Sequence, residues 1–293
     1  MKKLVLILLM LVHGIACAKL ETPATTPIKV VIPYNAGGGV DAVFRLMQQY
    51  AESNKMVIFP EYRPGATGQV GINQFSNAAP DGKTIMLTIN SDVSRSPVRN
   101  RVYPASAIAD SIFVVVTSPV SKITNITQLT NILKKDPSRL NWGVGSQVLH
   151  NLSDRMANEL VQSKIKITTI PYQGAGKVIP NLVGGHIDIA VVPRASVATL
   201  IDSGQLTQLA VWNNTEAVQN CYNFPKILDG ELISDGYGIF LPAASSEETK
   251  RFWITFAAGF TRDLKSRKLL NSRDMVVLQD GPENIRKIIE RNL

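Results

Sequence analysis

Residues Ile28 to Tyr50 constrain the fold more than any other stretch of the chain. A short β-branched apolar run, Ile28 to Ile32, reads as a buried strand. Pro33-Tyr34-Asn35-Ala36 then turns the chain into three consecutive glycines, Gly37 to Gly39. Val40, Val43, Phe44, Met47 and Tyr50 recur at helical spacing, with Asp41, Arg45, Gln48 and Gln49 on the other face. The segment is therefore strand, glycine loop, helix. Glycine lets a ligand approach the backbone. The first helical turn offers unpaired N–H groups and the positive end of the helix dipole. Such a turn suits an anion, carboxylate or phosphate.

The same grammar continues. Strands are expected at Lys55–Tyr62 and Lys83–Ile89, with a glycine loop at Arg63 to Gly68 and a helix from Gln69 to Ala79 between them. A single strand is expected over Ser111–Thr117, a helix over Ile126–Lys135, and strands at Leu140–Val144, Ile165–Pro171, Ile187–Val192 and Gln208–Trp212. Helices are placed at Gln147–Gln162 and after the Tyr172–Lys177 loop as far as Val183. Asn213–Gly230 lacks periodicity and reads as a connection. Beyond it come a strand at Tyr237–Leu241, one long helix at Ser246–Asp263, a strand at Met275–Leu278 and a helix at Pro282–Arg291. Alternating strands and helices imply parallel pairing with helices on both faces, and ligands beyond the C-terminal strand edge. The loops at Tyr34–Gly39, Arg63–Gly68 and Asn90–Ser94 all leave that edge. The last block has too few strands for a domain of its own and is expected to complete the first.

The 293 residues suggest two domains. Lys and Arg exceed Asp and Glu by 8, but they are scattered and lack interleaved aromatics, so no nucleic-acid partner is expected. Lys2 and Lys3, the apolar run Leu4–Val12 and Ala16-Cys17-Ala18 have the three parts of a secretory signal, assigned to residues 1–18. Its removal takes the charge from +8 to +6, since two lysines go. Lipid anchoring through Cys17 is the weaker alternative, because Gly14 stands where a lipidation box usually has Leu. The mature chain then keeps Cys221 alone and no internal disulfide. His150 and His186 lie too far apart for most metal spacings, so no metal and no cofactor are expected.

Enzyme signals are thin. Gly37-Gly38-Gly39-Val40-Asp41-Ala42 fits a dinucleotide fingerprint, and Glu61 stands where a ribose-binding acid belongs. Export argues against that use. Gln173-Gly174-Ala175-Gly176-Lys177 fails as a P-loop, with Pro171 and Val178 at positions that need Gly and Ser or Thr. Ser146 and His150 share a helix face without a nucleophile elbow, and no nucleophile, base and orienter come together.

The ordered set Pro33–Asp41 with Arg45, Arg63–Gly68, Ala79–Thr84, Gly143–His150 with Glu159, Pro171–Gly174, Leu182–Asp188, Leu209–Val211 and Gly238–Ala243 resembles the Bug-type extracytoplasmic solute receptors. These are the substrate-binding proteins of tripartite tricarboxylate transporters. The likeness covers nearly the whole mature chain. It implies an α/β, type II-like periplasmic-binding-protein fold. Each domain would be a mostly parallel sheet flanked by helices, with the ligand cleft between domains. Domain 1 would comprise 26–110 and 224–293, and domain 2 would comprise 111–223. It further implies a periplasmic, non-catalytic, monomeric receptor that takes a small carboxylate and serves transporter subunits in the membrane. A sensor partner of a receptor kinase is the nearest alternative, and a dinucleotide-dependent enzyme the one from another class. Carried over by position, the ligand residues would be Tyr34, Ala36, Gly37, Gly38, Gly39 and Asp41, with Ser91 from the third strand's loop. The second domain would add Gly145, Ser146, Gln147, His150, Tyr172 and Gly174. Asp188 would orient that loop or accept from the ligand. The sequence departs from the family pattern at Val40, where Thr is usual, in the stretch Ser94–Asp110, and at Trp212-Asn213-Asn214-Thr215.

Overall fold

The computed structural model describes residues 26–212, 222–224, 227–228, 231–232, 236–273 and 275–278. The expected signal, Cys17, Cys221, the helix at Pro282–Arg291 and most of Asn213–Gly230 lie outside these residues. The first elements are β1 (Ile28–Ile32), α1 (Gly39–Ser53), β2 (Ile58–Tyr62), α2 (Gln69–Phe75), β3 (Thr84–Ile89), α3 (Asn90–Ser94) and β4 (Val102–Ser111). Next come β5 (Phe113–Thr117), α4 (Ile126–Lys135), β6 (Asn141–Val144), α5 (Gln147–Val161), β7 (Thr168–Pro171), α6 (Ala175–Val183) and β8 (Ile189–Pro193). Then follow α7 (Ala198–Asp202), β9 (Thr207–Trp212), β10 (Tyr222–Phe224), β11 (Ile227–Leu228) and β12 (Glu231–Leu232). The described chain ends with β13 (Gly236–Pro242), α8 (Glu247–Arg262), α9 (Leu264–Asn271) and β14 (Met275–Val277).

Two six-stranded sheets carry the fold, in the orders β14-β4-β13-β3-β1-β2 and β10-β9-β5-β8-β6-β7. In each, a parallel trio (β2-β1-β3 and β7-β6-β8) continues into one antiparallel strand, β13 or β5. That strand is the first laid down after the chain changes sheet. It pairs antiparallel on both sides, with β4 in one sheet and β9 in the other. Both sheets are therefore mixed. Strand–helix alternation signals only the parallel trio, because a strand arriving from the other sheet needs no crossover helix.

The change of sheet divides the expected strand Ser111–Thr117. β4 ends at Ser111 and β5 begins at Phe113, with Ile112 between them. Most of β4 escapes a sequence reading for two reasons. Six consecutive positions, Ala105 to Asp110, are buried, so inside and outside do not alternate. Pro104 also has no N–H to donate. The structure tolerates it with a register shift: Ile239 pairs with Ser106 and Phe240 with Pro104, leaving Ala105 bulged. Likewise β10 lies within the stretch read as a connection and pairs parallel with β9. The expected single helix Ser246–Asp263 is followed at once by α9, with Asp263 as its cap.

Helices cover both faces of each sheet. Phe44 and Met47 of α1 pack with Trp253 and Phe260 of α8 on one face of the first sheet, and Ile72, Phe75 and Val93 pack on the other. Leu129, Leu133, Leu152 and Met156 cover Trp142 in the second sheet, with Val178 and Leu182 of α6 opposite. Burying each such side chain contributes about 1.5–3 kcal/mol. No described helix is long and apolar enough to cross a membrane.

Candidate functional site

The N-termini of three helices meet where the C-terminal edges of the two sheets face each other. α1 opens at Gly39 and α6 at Ala175, and neither has a side-chain cap; their cap positions are Gly38 and Gly174. α5 opens after Ser146, whose hydroxyl accepts from the Leu149 N–H. A cavity of about 30 Å³ lies between them, lined by Tyr34, Asn35, Gly38, Gly39, Val40 and Ile89 from the first-sheet side. Gly145, Ser146, Leu149, Gly174, Ala175 and Pro193 line it from the second, and Tyr237 of β13 completes it. A space of that size holds about one water.

The two sides touch directly. Asn35 donates through its backbone N–H and its side-chain amide to the Gln173 carbonyl, at 3.4 and 2.9 Å. A Cβ on Gly176 would stand 2.1 Å from the Ala36 carbonyl oxygen, so only glycine fits beneath that loop. Gly39 is constrained in the same way from within the first sheet: a Cβ there would come within 2.1 Å of the Tyr237 hydroxyl oxygen. Gly174 holds φ at +91°, a left-handed backbone that favours glycine, and its α-carbon faces the Tyr34 side chain.

Behind the glycine loop lies a polar support. The Tyr34 hydroxyl donates to the Asp92 carboxylate, which also takes a 2.8 Å bond from Arg95. Gln69 donates to the Asp92 carbonyl at 2.9 Å. Burial pushes the Asp92 carboxyl above its usual range, against the bonds from Tyr34 and Arg95 that favour its ionised form. On the flank, Asp41 accepts from the Gly37 N–H at 2.9 Å and from the Tyr62 hydroxyl at 2.6 Å, and it pairs with Arg45 at 3.3 Å. Burial, then the hydrogen bond and charge of Asp41, push the Tyr62 phenol up to about 12.

The expected ligand residues divide. Tyr34, Gly38, Gly39, Gly145, Ser146 and Gly174 line the cavity. Ala36 meets Gly176 beside it, whereas the Gly37 N–H is taken by Asp41 within the first-sheet side. Asp41 braces the loop from outside. Ser91 is buried in α3, where its hydroxyl accepts from Arg95 at 3.3 Å. Gln147 is exposed and donates to Asn151. His150 lies 3.5 Å from Thr169 and 3.4 Å from Asp154, over edge strand β7. Tyr172 is half-buried above Gly143 and donates its N–H to Val144. Asp188 is at the wrong end of the sheet: it precedes β8, and its carboxylate accepts from the Asn141 N–H at the start of β6. It neither orients the Gly174 loop nor lines the cavity. Asn35, Val40, Ile89, Leu149, Ala175, Pro193 and Tyr237 also line the cavity and were not among the expected ligand residues. Val40 follows the glycines directly and could have been read from its position, whereas Tyr237 reaches the site through a pairing between distant strands.

The dinucleotide reading loses its acid. The Glu61 carboxylate is held by Lys29 at 3.0 Å and by Arg63, and these cations keep it below its usual range despite partial burial. Gly38 of the glycine loop faces Ala175 and Gly176 of the opposite helix end. No group of three or more metal-ligating side chains occurs among the described residues.

Comparison with known proteins agrees with this architecture. A model of the tripartite tricarboxylate transporter family receptor matches residues 43–229. The chain is 26% identical to Protein BugT of Bordetella pertussis over 223 residues, covering 71% of this chain and 65% of that protein. In its first such matches it spans 62–66% of the relative's length. Among solved structures, the periplasmic binding protein BugD superposes with a TM-score of 0.80 at 19% identity, over 91% of this chain and 93% of its own. MatC from Rhodopseudomonas palustris, solved with bound malate, superposes with a TM-score of 0.79 at 17% identity, over 91% and 96%. With the family model spanning well over half of the sequence, the chain belongs to the tripartite tricarboxylate transporter receptor family.

Proposed function

We propose that this protein is a periplasmic receptor that captures a small carboxylate between its two sheets and delivers it to transporter subunits in the membrane, without catalysis. The carrying observation is the convergence of three helix N-termini on one cavity, two of them uncapped by any side chain. Each helix end carries roughly half a positive charge, and its backbone donors do not titrate. On this reading the lobes are 26–110 with 224–293 and 111–223, residues 1–18 direct export, and the receptor works as a monomer. A ligand enters when the lobes part and is enclosed when they close, so binding free energy drives closure. MatC, solved with malate, supplies the precedent for a carboxylate in this fold.

The closing seam allows a sharp test. Gly176→Ala adds one methyl that collides with the Ala36 carbonyl only when the lobes are shut. Alanine is the better helix former by up to about 1 kcal/mol, so the fold itself is not weakened. A thermal-shift screen against mono- and dicarboxylates is expected to find acids that protect the wild type, and protection is expected to fall at least about tenfold in affinity in the variant. Equal protection of both proteins, or protection by no carboxylate, would rule the reading out.

A further inference from the structure

We infer that capture of a carboxylate draws a proton onto Asp92, so that anion and proton are taken up together. This rests on carboxylate capture at the cavity between the helix N-termini and adds its coupling to pH. Asp92 is the most deeply buried carboxylate among the described residues, at 1% exposed. It stands one side chain behind the cavity wall. Tyr34 lines the cavity, packs against Gly174 on the second-sheet side and donates its hydroxyl to Asp92. An ionised Asp92 therefore sets a negative charge behind the place that the helix N-termini prepare for another. Arg95 offsets that charge at 2.8 Å. When Asp92 takes a proton, the pair passes from neutral to +1, and the field at the cavity turns toward favouring an anion.

The coupling runs both ways. A bound anion repels ionised Asp92 and so strengthens its hold on a proton; by reciprocity the proton strengthens the hold on the anion. Burial already keeps the Asp92 carboxyl above its usual range, against the bonds from Tyr34 and Arg95. A brace alone needs no carboxylate here, since an amide oxygen accepts from Tyr34 and Arg95 without a charge to bury. The groups around Asp92 are few. Tyr34 reaches it from the loop after β1 and Arg95 from the end of α3. Gln69 of α2 bonds the Asp92 carbonyl, and the Thr88 hydroxyl of β3 lies 3.5 Å from that of Tyr34; neither titrates. β13, packed on α3, brings Tyr237 as its one titratable residue. α5 also packs on α3 and carries His150 and Asp154, which pair with each other at 3.4 Å, with Arg155 and Glu159 beyond them.

Calorimetric titration in buffers of different ionisation enthalpy counts the protons taken up on binding. The probes are malate, succinate, adipate, hexanoate and benzoate, between about pH 5.5 and 8, where these acids are largely ionised in solution. With the acid that binds most tightly, the wild type is expected to take up about 0.3 of a proton or more beyond what Asp92→Asn takes up, at some pH in that range. The comparison removes any proton gained by the ligand itself or by His150. Wild-type affinity is expected to rise about tenfold on acidification; that is about 1.4 kcal/mol, the interaction of unit charges roughly 12 Å apart at an effective dielectric constant of 20. Asp92→Asn is neutral at every pH, so it is expected to bind more tightly than the wild type at pH 8, whereas loss of a mere brace weakens binding. Equal proton uptake by the two proteins, or weaker binding by the variant at pH 8, overturns the inference and leaves carboxylate capture intact. Binding of no acid overturns both. Should Asp92→Asn not fold, the carboxyl-carbon resonance of Asp92 in aspartate-labelled wild type decides. It is expected to move toward its protonated position when the acid is added at constant pH, and a resonance that stays in place across the range overturns the inference.

Discussion

Asp41 shows how one side chain can brace a glycine loop from its flank. Its two oxygens tie the Gly37 N–H to the Tyr62 hydroxyl, and Arg45 closes the set. Tyr62→Phe removes one buried-side bond and is expected to cost about 1 kcal/mol in denaturant unfolding. It should also loosen the loop enough to weaken carboxylate binding severalfold, measured by titration. Tyr62 ionises only near pH 12 in the folded protein, against 10 for a free phenol. Because the folded value is raised, the stability from neutral Tyr62 is complete below pH 10 and is lost between 10 and 12. Absorbance titration of the phenolate checks this. The sequence shows Asp41 and Arg45 one helical turn apart, but Tyr62 sits on the next strand, and its register against β1 is needed to bring it there. His150, Gln147 and Asp188 were carried over from the family resemblance, and none of them lines the cavity. Their partners are Thr169 for His150, Asn151 for Gln147 and the Asn141 N–H for Asp188, which only the folded chain can show.

Among elements, α8 and α9 carry the clearest local logic. Asp263 caps α9, accepting from the Ser266 N–H and hydroxyl at 2.7 Å each, and those bonds hold its carboxyl below the usual range. A depressed acid contributes stability above its unfolded pKa, and this is lost as pH falls through the folded value. Asp263→Ala is expected to lower stability by about 1 kcal/mol near neutral pH, and the gap should close below about pH 4. Urea melts of both proteins across that range would show it; a constant gap would mean that the cap acts through packing. The boundary itself was hidden from a sequence reading. Helical spacing runs through Asp263 unbroken, and only its extended backbone, φ −60° and ψ 124°, separates the two helices. Strand–loop–helix units such as β1–α1 and β6–α5 were legible because their period, glycine and cap signals coincide. β4 was not, since burial on both faces erases the period and Pro104 masks the rest.

Across the whole molecule, closure is the property that matters for a receptor. Solution scattering on the wild type with a tight-binding acid is expected to give a smaller radius of gyration than Gly176→Ala under the same conditions. Equal radii would show that the Ala36–Gly176 seam does not set the distance between lobes. The architecture also bears on how the chain can be divided. β13 lies between β3 and β4, yet it is synthesised more than a hundred residues after them. A ribosome that has released only the first half has therefore made a sheet with a gap in its middle. A fragment cut at Ser111 should therefore remain unfolded until a segment carrying β13, α8 and α9 is supplied in trans.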